Sequence, residues 1–161
     1  MPNWQVLTAH EDSSLSLWNV RHGECIKHWH ANDGSPIWSL THNAKHVYSG
    51  GGNGSLKRFT LDTHVSSLRA TQVLDIHHLM EEHDYAKLVV FLDPHTLVVL
   101  TKQGLLLKGD FREASFELVF RDPDLESYAL MKAHAGRIYL ATLNGKIKWS
   151  EDRKSTRLNS S

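Results

Sequence analysis

The chain has almost no cysteine, no excess of charge of either sign and no long apolar run, and each of these absences excludes something. Cys25 is the single cysteine among 161 residues, which rules out an internal disulfide framework and any zinc site needing two or more thiolates from this chain. A reducing compartment is the simplest reading. Eighteen Lys and Arg stand against eighteen Asp and Glu, with twelve His, so no whole-chain attraction to nucleic acid exists and any RNA contact must be local. The longest purely apolar run, Leu88 to Leu92, falls far short of the roughly 20 residues of a membrane-spanning helix. The opening, MPNWQVLTAHED, lacks the basic and then apolar blocks of a signal peptide. A cytosolic or nuclear protein with no membrane partner is expected. Nucleophile elbows, phosphate loops and nucleotide fingerprints are missing too, and no enzymatic activity and no cofactor are expected.

What is present is an ordinary globular composition, 40% apolar and 22% charged, at about one domain's length. Within it runs a repeat. LTAHEDSSLSLWNV (7–20) lies over YSGGGNGSLKRFTL (48–61) without a gap, and LVVLTKQGLLLKGD (97–110) and IYLATLNGKIKWSE (138–151) follow the same plan. Anchored on Ser13, Gly54, Gly104 and Gly145, the spacings are 41, 50 and 41 residues. Seven and six residues before each anchor stand Val6-Leu7, Val47-Tyr48, Leu97-Val98 and Ile138-Tyr139, strand formers that mark one arm of a hairpin. Two residues after it comes Leu15, Leu56, Leu106 or Ile147, which pins the other arm, because a one-residue slip turns that side chain to the opposite face. Between the arms, Asn53-Gly54 and Asn144-Gly145 suit the positive φ of a tight hairpin turn, and Asp12-Ser13 and Gln103-Gly104 occupy the same place. Further strands are expected at CIKHW (25–29), PIWSLT (36–41), VSSLR (65–69), LVVFL (88–92), FELVF (116–120) and SYALM (127–131). Helical periodicity is weak, except in VLDIHHLMEEHD (73–84), within an insertion around 70–85 that is expected to be one helical turn or an irregular loop, its His and carboxylate cluster solvated.

The last ten residues, DRKSTRLNSS (152–161), drop the alternating pattern and match the translation of a common sequencing-library adapter. They are expected to be non-native and 1–151 to be a piece of a longer protein. Without them, 15 basic residues face 17 acidic ones.

Four short strands in about forty residues is the plan of a propeller blade. EDSSLSLWNV (11–20) resembles the strand and Trp-Asp ending of a WD40 repeat, with Trp18 in place and Asn19 where the Asp would stand. GGGNGSLKRFTL (50–61) is a second copy with Phe59 for the Trp, whereas Gly109 and Ser150 replace it in the third and fourth units. Ala31-Asn32 stands where the family carries Gly-His, so the His, Asp, Ser/Thr and Trp hydrogen-bonded set is expected to be incomplete. The resemblance implies an all-β fold: a partial WD40 β-propeller over 1–151, about three and a half four-stranded antiparallel blades, the ring not closed. Open blade faces are an aggregation hazard, so 1–151 alone is expected to be poorly soluble or marginally stable. The order of segments from residue 4 to 151 is similar to that in large WD40 subunits that partner an FtsJ-type methyltransferase in 2′-O-methylating the ribose of a tRNA wobble nucleotide. That implies a cytoplasmic, non-catalytic scaffold with the methyltransferase, tRNA and other proteins as partners. The same blade pattern also serves protein-interaction scaffolds with no RNA role.

Candidate functional residues are few. Lys57, Arg58, Lys108, Lys146 and Lys148 lie on equivalent strands and are the local candidates for RNA-backbone contact, if neighbouring blades align them. Trp18, Trp29, Trp38 and Trp149 sit at strand positions, where core packing is expected rather than base stacking. Three pairings approach metal-ligand spacing, His28-x-His30, His42-x3-His46 and His77-His78-x4-His83, but none fixes third and fourth ligands. No metal site is expected.

Overall fold

Every hairpin of the repeat forms in the same register. The computed structural model describes residues 4–31, 34–43, 46–150 and 158–160; Asn32 and residues 152–157 lie outside the described residues. The aliphatic residue two places after each anchor pairs with the residue four places before it: Ala9 with Leu15, Gly50 with Leu56, Leu100 with Leu106, Ala141 with Ile147. The anchors Ser13, Gly54, Gly104 and Gly145 have φ of 68°, 67°, 83° and 89°. Each donates its N–H to the carbonyl three residues back, on His10, Gly51, Thr101 and Thr142. Asn53 and Asn144 do not share the positive φ. The turns are therefore four-residue turns closed by one left-handed residue, rather than two-residue turns in which both central residues are left-handed. Asp12 and Asn53 hold the turns from within, each accepting the backbone N–H and the hydroxyl of Ser14 or Ser55.

The hairpins build four four-stranded sheets, or blades. Blade 1 contains β1 (Gln5–Ala9), β2 (Ser14–Asn19) and β3 (Glu24–Ala31), joined at its edge by the two-residue β7 (Ser67–Leu68). Blade 2 contains β4 (Ile37–His42), β5 (Val47–Gly51), β6 (Ser55–Phe59) and β8 (Ala70–Asp75). Blade 3 is β9 (Ala86–Phe91), β10 (Thr96–Thr101), β11 (Leu105–Asp110) and β12 (Ser115–Arg121). Blade 4 is β13 (Tyr128–His134), β14 (Arg137–Thr142), β15 (Ile147–Ser150) and β16 (Leu158–Ser160). Apart from the parallel pairing of β3 with β7, neighbours run antiparallel. The helical residues among those described are two 3-10 turns, His77–Leu79 and Pro123–Ser127. Among the described residues no helix is long and apolar enough to cross a membrane.

The two-residue period of a strand explains how the blades stack. In β10, Leu97 and Val99 enter a core shared with Tyr48 and Leu56 of blade 2, while Val98 and Leu100 enter one shared with Tyr128 and Leu140 of blade 4. All four side chains are buried. Leu15, Trp29, Phe59 and Leu68 form the core between blades 1 and 2. The position two after the anchor faces the following blade each time, so Leu15, Leu56 and Leu106 are buried, whereas Ile147 on the far face of blade 4 is exposed. That face also carries exposed Leu130, whose strand partner Ala141 is the partner of Ile147 as well.

Two expectations need correction. VSSLR (65–69) is not the fourth strand of blade 2: its Ser67–Leu68 runs parallel to β3 instead. One apolar side chain decides this, because Leu68 is buried in the core between blades 1 and 2, where the Trp29 indole N–H donates to the carbonyl of Asp62. The fourth strand is β8, whose Leu74 packs on the core between blades 2 and 3. The extra residues of this repeat thus lie on both sides of β8, in 60–69 and in 76–85. The second of these opens with a 3-10 turn, the helical turn that is one of the two expected forms, but its acidic cluster is not wholly solvated: Asp84 is buried, accepting the backbone N–H groups of Tyr85 and Gln103.

Candidate functional site

The five basic candidates do not form one stripe. Cross-strand pairing shows where each points. Lys57 pairs with Ser49, on the blade 1 side of blade 2, and is buried; burial pulls its pKa below the ordinary lysine value. Arg58 pairs with Tyr48 and faces blade 3; Lys108 pairs with Val98 and faces blade 4. Lys148 pairs with Leu140 and faces blade 3, where its ammonium contacts Asp122 at 3.0 Å and Asp124 at 2.8 Å. Desolvation lowers its pKa, but the two carboxylates outweigh that and leave it raised. Lys146 is exposed beside the last turn. Equivalent slots in successive blades open into different gaps, which is why aligned sequence positions are not neighbours in space.

The tryptophans also divide. Trp29 is fully buried, Trp18 and Trp149 are half-buried, and Trp38, expected in a core, is 42% exposed. Trp38 packs on the Tyr85 ring at 5.9 Å between centroids. Trp18 donates its indole N–H to Thr8 Oγ1 at 3.0 Å, Thr8 meets His10 Nε2 at 3.2 Å, and His10 meets Ser16 at 3.2 Å. Ser16 in turn contacts His28 Nδ1 at 2.8 Å. A Trp–Thr–His set therefore does stitch blade 1, with His10 supplied by the hairpin itself, while Asp12 turns to Ser14. His28 and His30 lie 4.4 Å apart, centroid to centroid, on the same face. Among the described residues no group of three or more His, Cys, Asp or Glu side chains is placed to hold a metal ion. In the 76–85 segment, the His77 backbone N–H donates to Asp75 and holds that carboxyl below its ordinary value, helped by the His77 ring contact at 2.6 Å.

Two clefts open at one end of the blades, on either side of the loop between β4 and β5. One, of about 500 Å³, lies between blades 1 and 2 and is lined by Leu7, Leu17, Leu40 and Leu61 with His42 and His46. The other, of about 630 Å³, lies between blades 2 and 3, where Arg58, Arg112 and His95 join the same two histidines over Tyr48, Phe91 and Phe111. Its aromatic wall is rigid: Tyr48 sits edge-on to Phe91 at 4.9 Å and to Phe111 at 5.1 Å. The Arg58 guanidinium lies 6.0 Å above the Phe111 ring, its Nε donating to Thr71 Oγ1 at 3.3 Å. Arg112 pairs with Asp110 at 2.9 Å, and that bond is the main reason the Asp110 carboxyl sits below its ordinary pKa. Sequence reasoning named Arg58 but missed this cleft. His42 ends β4 while His46, His95 and Arg112 come from three different loops, and only blade stacking brings them together.

Four stacked four-stranded blades, antiparallel except for the β3–β7 edge of blade 1 and packed around shared apolar cores, decide the architecture. The fold is a partial β-propeller of WD40-like form. No family model and no curated protein matches the sequence. Solved structures do match: Raptor from Chaetomium thermophilum, which contains a WD40 propeller, superposes with a TM-score of 0.65 at 17% identity over 91% of this chain. The chain spans 14% of the length of that protein. In all, 795 chains of solved structures are similar, a breadth that ties the propeller to architecture and to no single activity.

Proposed function

We propose that this chain is part of a non-catalytic interaction scaffold that binds other proteins through the rims and clefts of its propeller blades. The observation that carries the reading is the pair of clefts flanking the β4–β5 loop, one lined by leucines with two histidines and the other by two arginines and three histidines over an aromatic wall, a composition suited to recognition. The WD40-like fold supports it as an architecture that presents surfaces. The test is affinity purification of the full-length product of this gene, with and without nuclease, read by mass spectrometry. Stoichiometric protein partners that survive nuclease are expected; a preparation without any would overturn the reading.

A second reading rests on the order of the divergent repeats, which resembles that of WD repeat-containing protein 6, the partner of an FtsJ-type methyltransferase acting on the tRNA wobble ribose. In this reading the scaffold is cytoplasmic and holds enzyme and tRNA in register, the ordering entropy being met before the reaction. Arg58, Lys108 and Lys146 are then the first choices for phosphate contact, ahead of ion-paired Lys148 and buried Lys57. It expects tRNA binding that weakens steeply with salt and loss of wobble 2′-O-methylation in cells lacking the locus, restored by the full-length gene. An unchanged mark leaves the protein-interaction reading alone. Residues 152–161 are proposed to be non-native, although Leu158–Ser160 takes the edge of blade 4. Reading the genomic frame beyond codon 151 tests this: further repeats of about forty residues support it, and a natural stop after Ser161 overturns it.

A further inference from the structure

We infer that the cleft between blades 2 and 3 is an anion-binding site for an acidic peptide segment of a partner protein, with Arg58 as the central contact and Arg112, His42, His46 and His95 around it. This deepens the scaffold reading by naming the partner's chemistry, and it rests on that reading. Both walls belong to interior blades, each already packed on its other side by a neighbour, so this chain supplies both of them.

Three features assign the ligand class. First, Arg58 is held in place before any ligand arrives. Its Nε is tied to Thr71 and its plane lies near Phe111, and among the described residues no carboxylate forms a salt bridge with it. A guanidinium fixed in this way presents a planar fork of donors that matches a carboxylate two bonds at a time, with little side-chain entropy left to lose. Second, charge complements an acidic partner on a modest scale: among the described lining residues two guanidiniums stand against the single Asp110 carboxylate, with three imidazoles adding N–H donors. That is enough for one or two acidic side chains, whereas a run of phosphates would meet Asp110. Third, the aromatic wall offers little ring face. Phe111 and Tyr48 are 2% and 5% exposed and are packed against one another, so no platform for base stacking is present. Their edges, with half-buried Phe91 and exposed Pro94, instead give the apolar floor that a peptide side chain fills beside its carboxylate. The volume of about 630 Å³ is that of a site for a few side chains.

The probe is fluorescein-labelled hexaglutamate, titrated into the full-length protein by fluorescence anisotropy, with hexalysine and hexauridylate in parallel. Saturable binding of hexaglutamate is expected, weakened by added sodium chloride, with no binding of hexalysine. Arg58→Glu and Arg112→Glu each weaken it at least about tenfold, as expected of a charge-assisted contact. Arg112 is exposed, so its variant keeps the test valid if Arg58→Glu disturbs packing on Phe111. Arg137→Glu, on an exposed residue of blade 4, leaves binding unchanged. Hexaglutamate binding that is absent, or equal in all variants, overturns the proposal, and so does tighter binding of hexauridylate with the same variant dependence. If nuclease-resistant protein partners persist in either case, the scaffold reading stands and only the cleft assignment fails.

Discussion

Val98 and Val99 are neighbours in the chain, both essentially inaccessible to solvent, yet they belong to different interfaces. Val98 packs between blades 3 and 4, Val99 between blades 2 and 3. Replacing either by Ala removes two methyl groups. The transfer loss is about 1.6 kcal/mol at ~0.8 kcal/mol per carbon, and a cavity of roughly 50 Å³ at ~24 cal/mol per Å³ adds about 1 kcal/mol. Each variant is therefore expected to lose about 2.5 kcal/mol, close to the same global destabilisation from either site. The location of the loss differs. In a stack whose blades contact only their neighbours, the loosened interface opens first. Native-state hydrogen exchange read by mass spectrometry separates the two. Val99→Ala should speed exchange in β5 and β6, and Val98→Ala in β13 and β14, by roughly fifty- to hundredfold at ~1.4 kcal/mol per factor of ten. If both variants deprotect the same strands, or deprotect all four blades equally, the argument from alternating faces is wrong.

Three further outcomes follow from the geometry. Gly104→Ala should destabilise more than Gly145→Ala in urea titrations: both have positive φ, costing an L-residue roughly 1–2 kcal/mol, but a Cβ at Gly104 meets the Asp122 carbonyl at 2.3 Å while one at Gly145 meets nothing within 4 Å. Equal losses would show that the contact relaxes freely. Asp84→Ala should cost about 2 kcal/mol by leaving the N–H groups of Tyr85 and Gln103 without their acceptor, and a neutral result in thermal melts would mean that water replaces it. The Asp124 carboxyl is held below the ordinary aspartate value by the Lys148 hydrogen bond. Its contribution is thus fully present above that value and lost as pH falls through the lower folded one. Lys148→Met should flatten the acid limb of the stability–pH curve, and an unchanged limb would show that the pair contributes nothing measurable.

The repeat of forty-one residues was enough to place all four hairpins, their turns and their register, because strand pairing and side-chain parity are local: Leu15, Leu56 and Leu106 must turn inward wherever the hairpin forms. Arg58 and Lys108 were legible as basic positions on equivalent strands, and the structure leaves each half-buried and facing the following blade. Local pattern does not decide which sheet a weak strand joins. Ser67–Leu68 left its own repeat for blade 1 because burial of Leu68 against Trp29 and Phe59 outweighs pairing with the nearer β6, a contact between residues almost forty apart. The cleft around Arg58 belongs to the same class of fact. Its histidines, Arg112 and the Tyr48–Phe111 wall come from separate repeats and meet only when blades 2 and 3 stack, so the sequence by itself determined the blades, and only the tertiary structure decided which side chains face one another across the gaps.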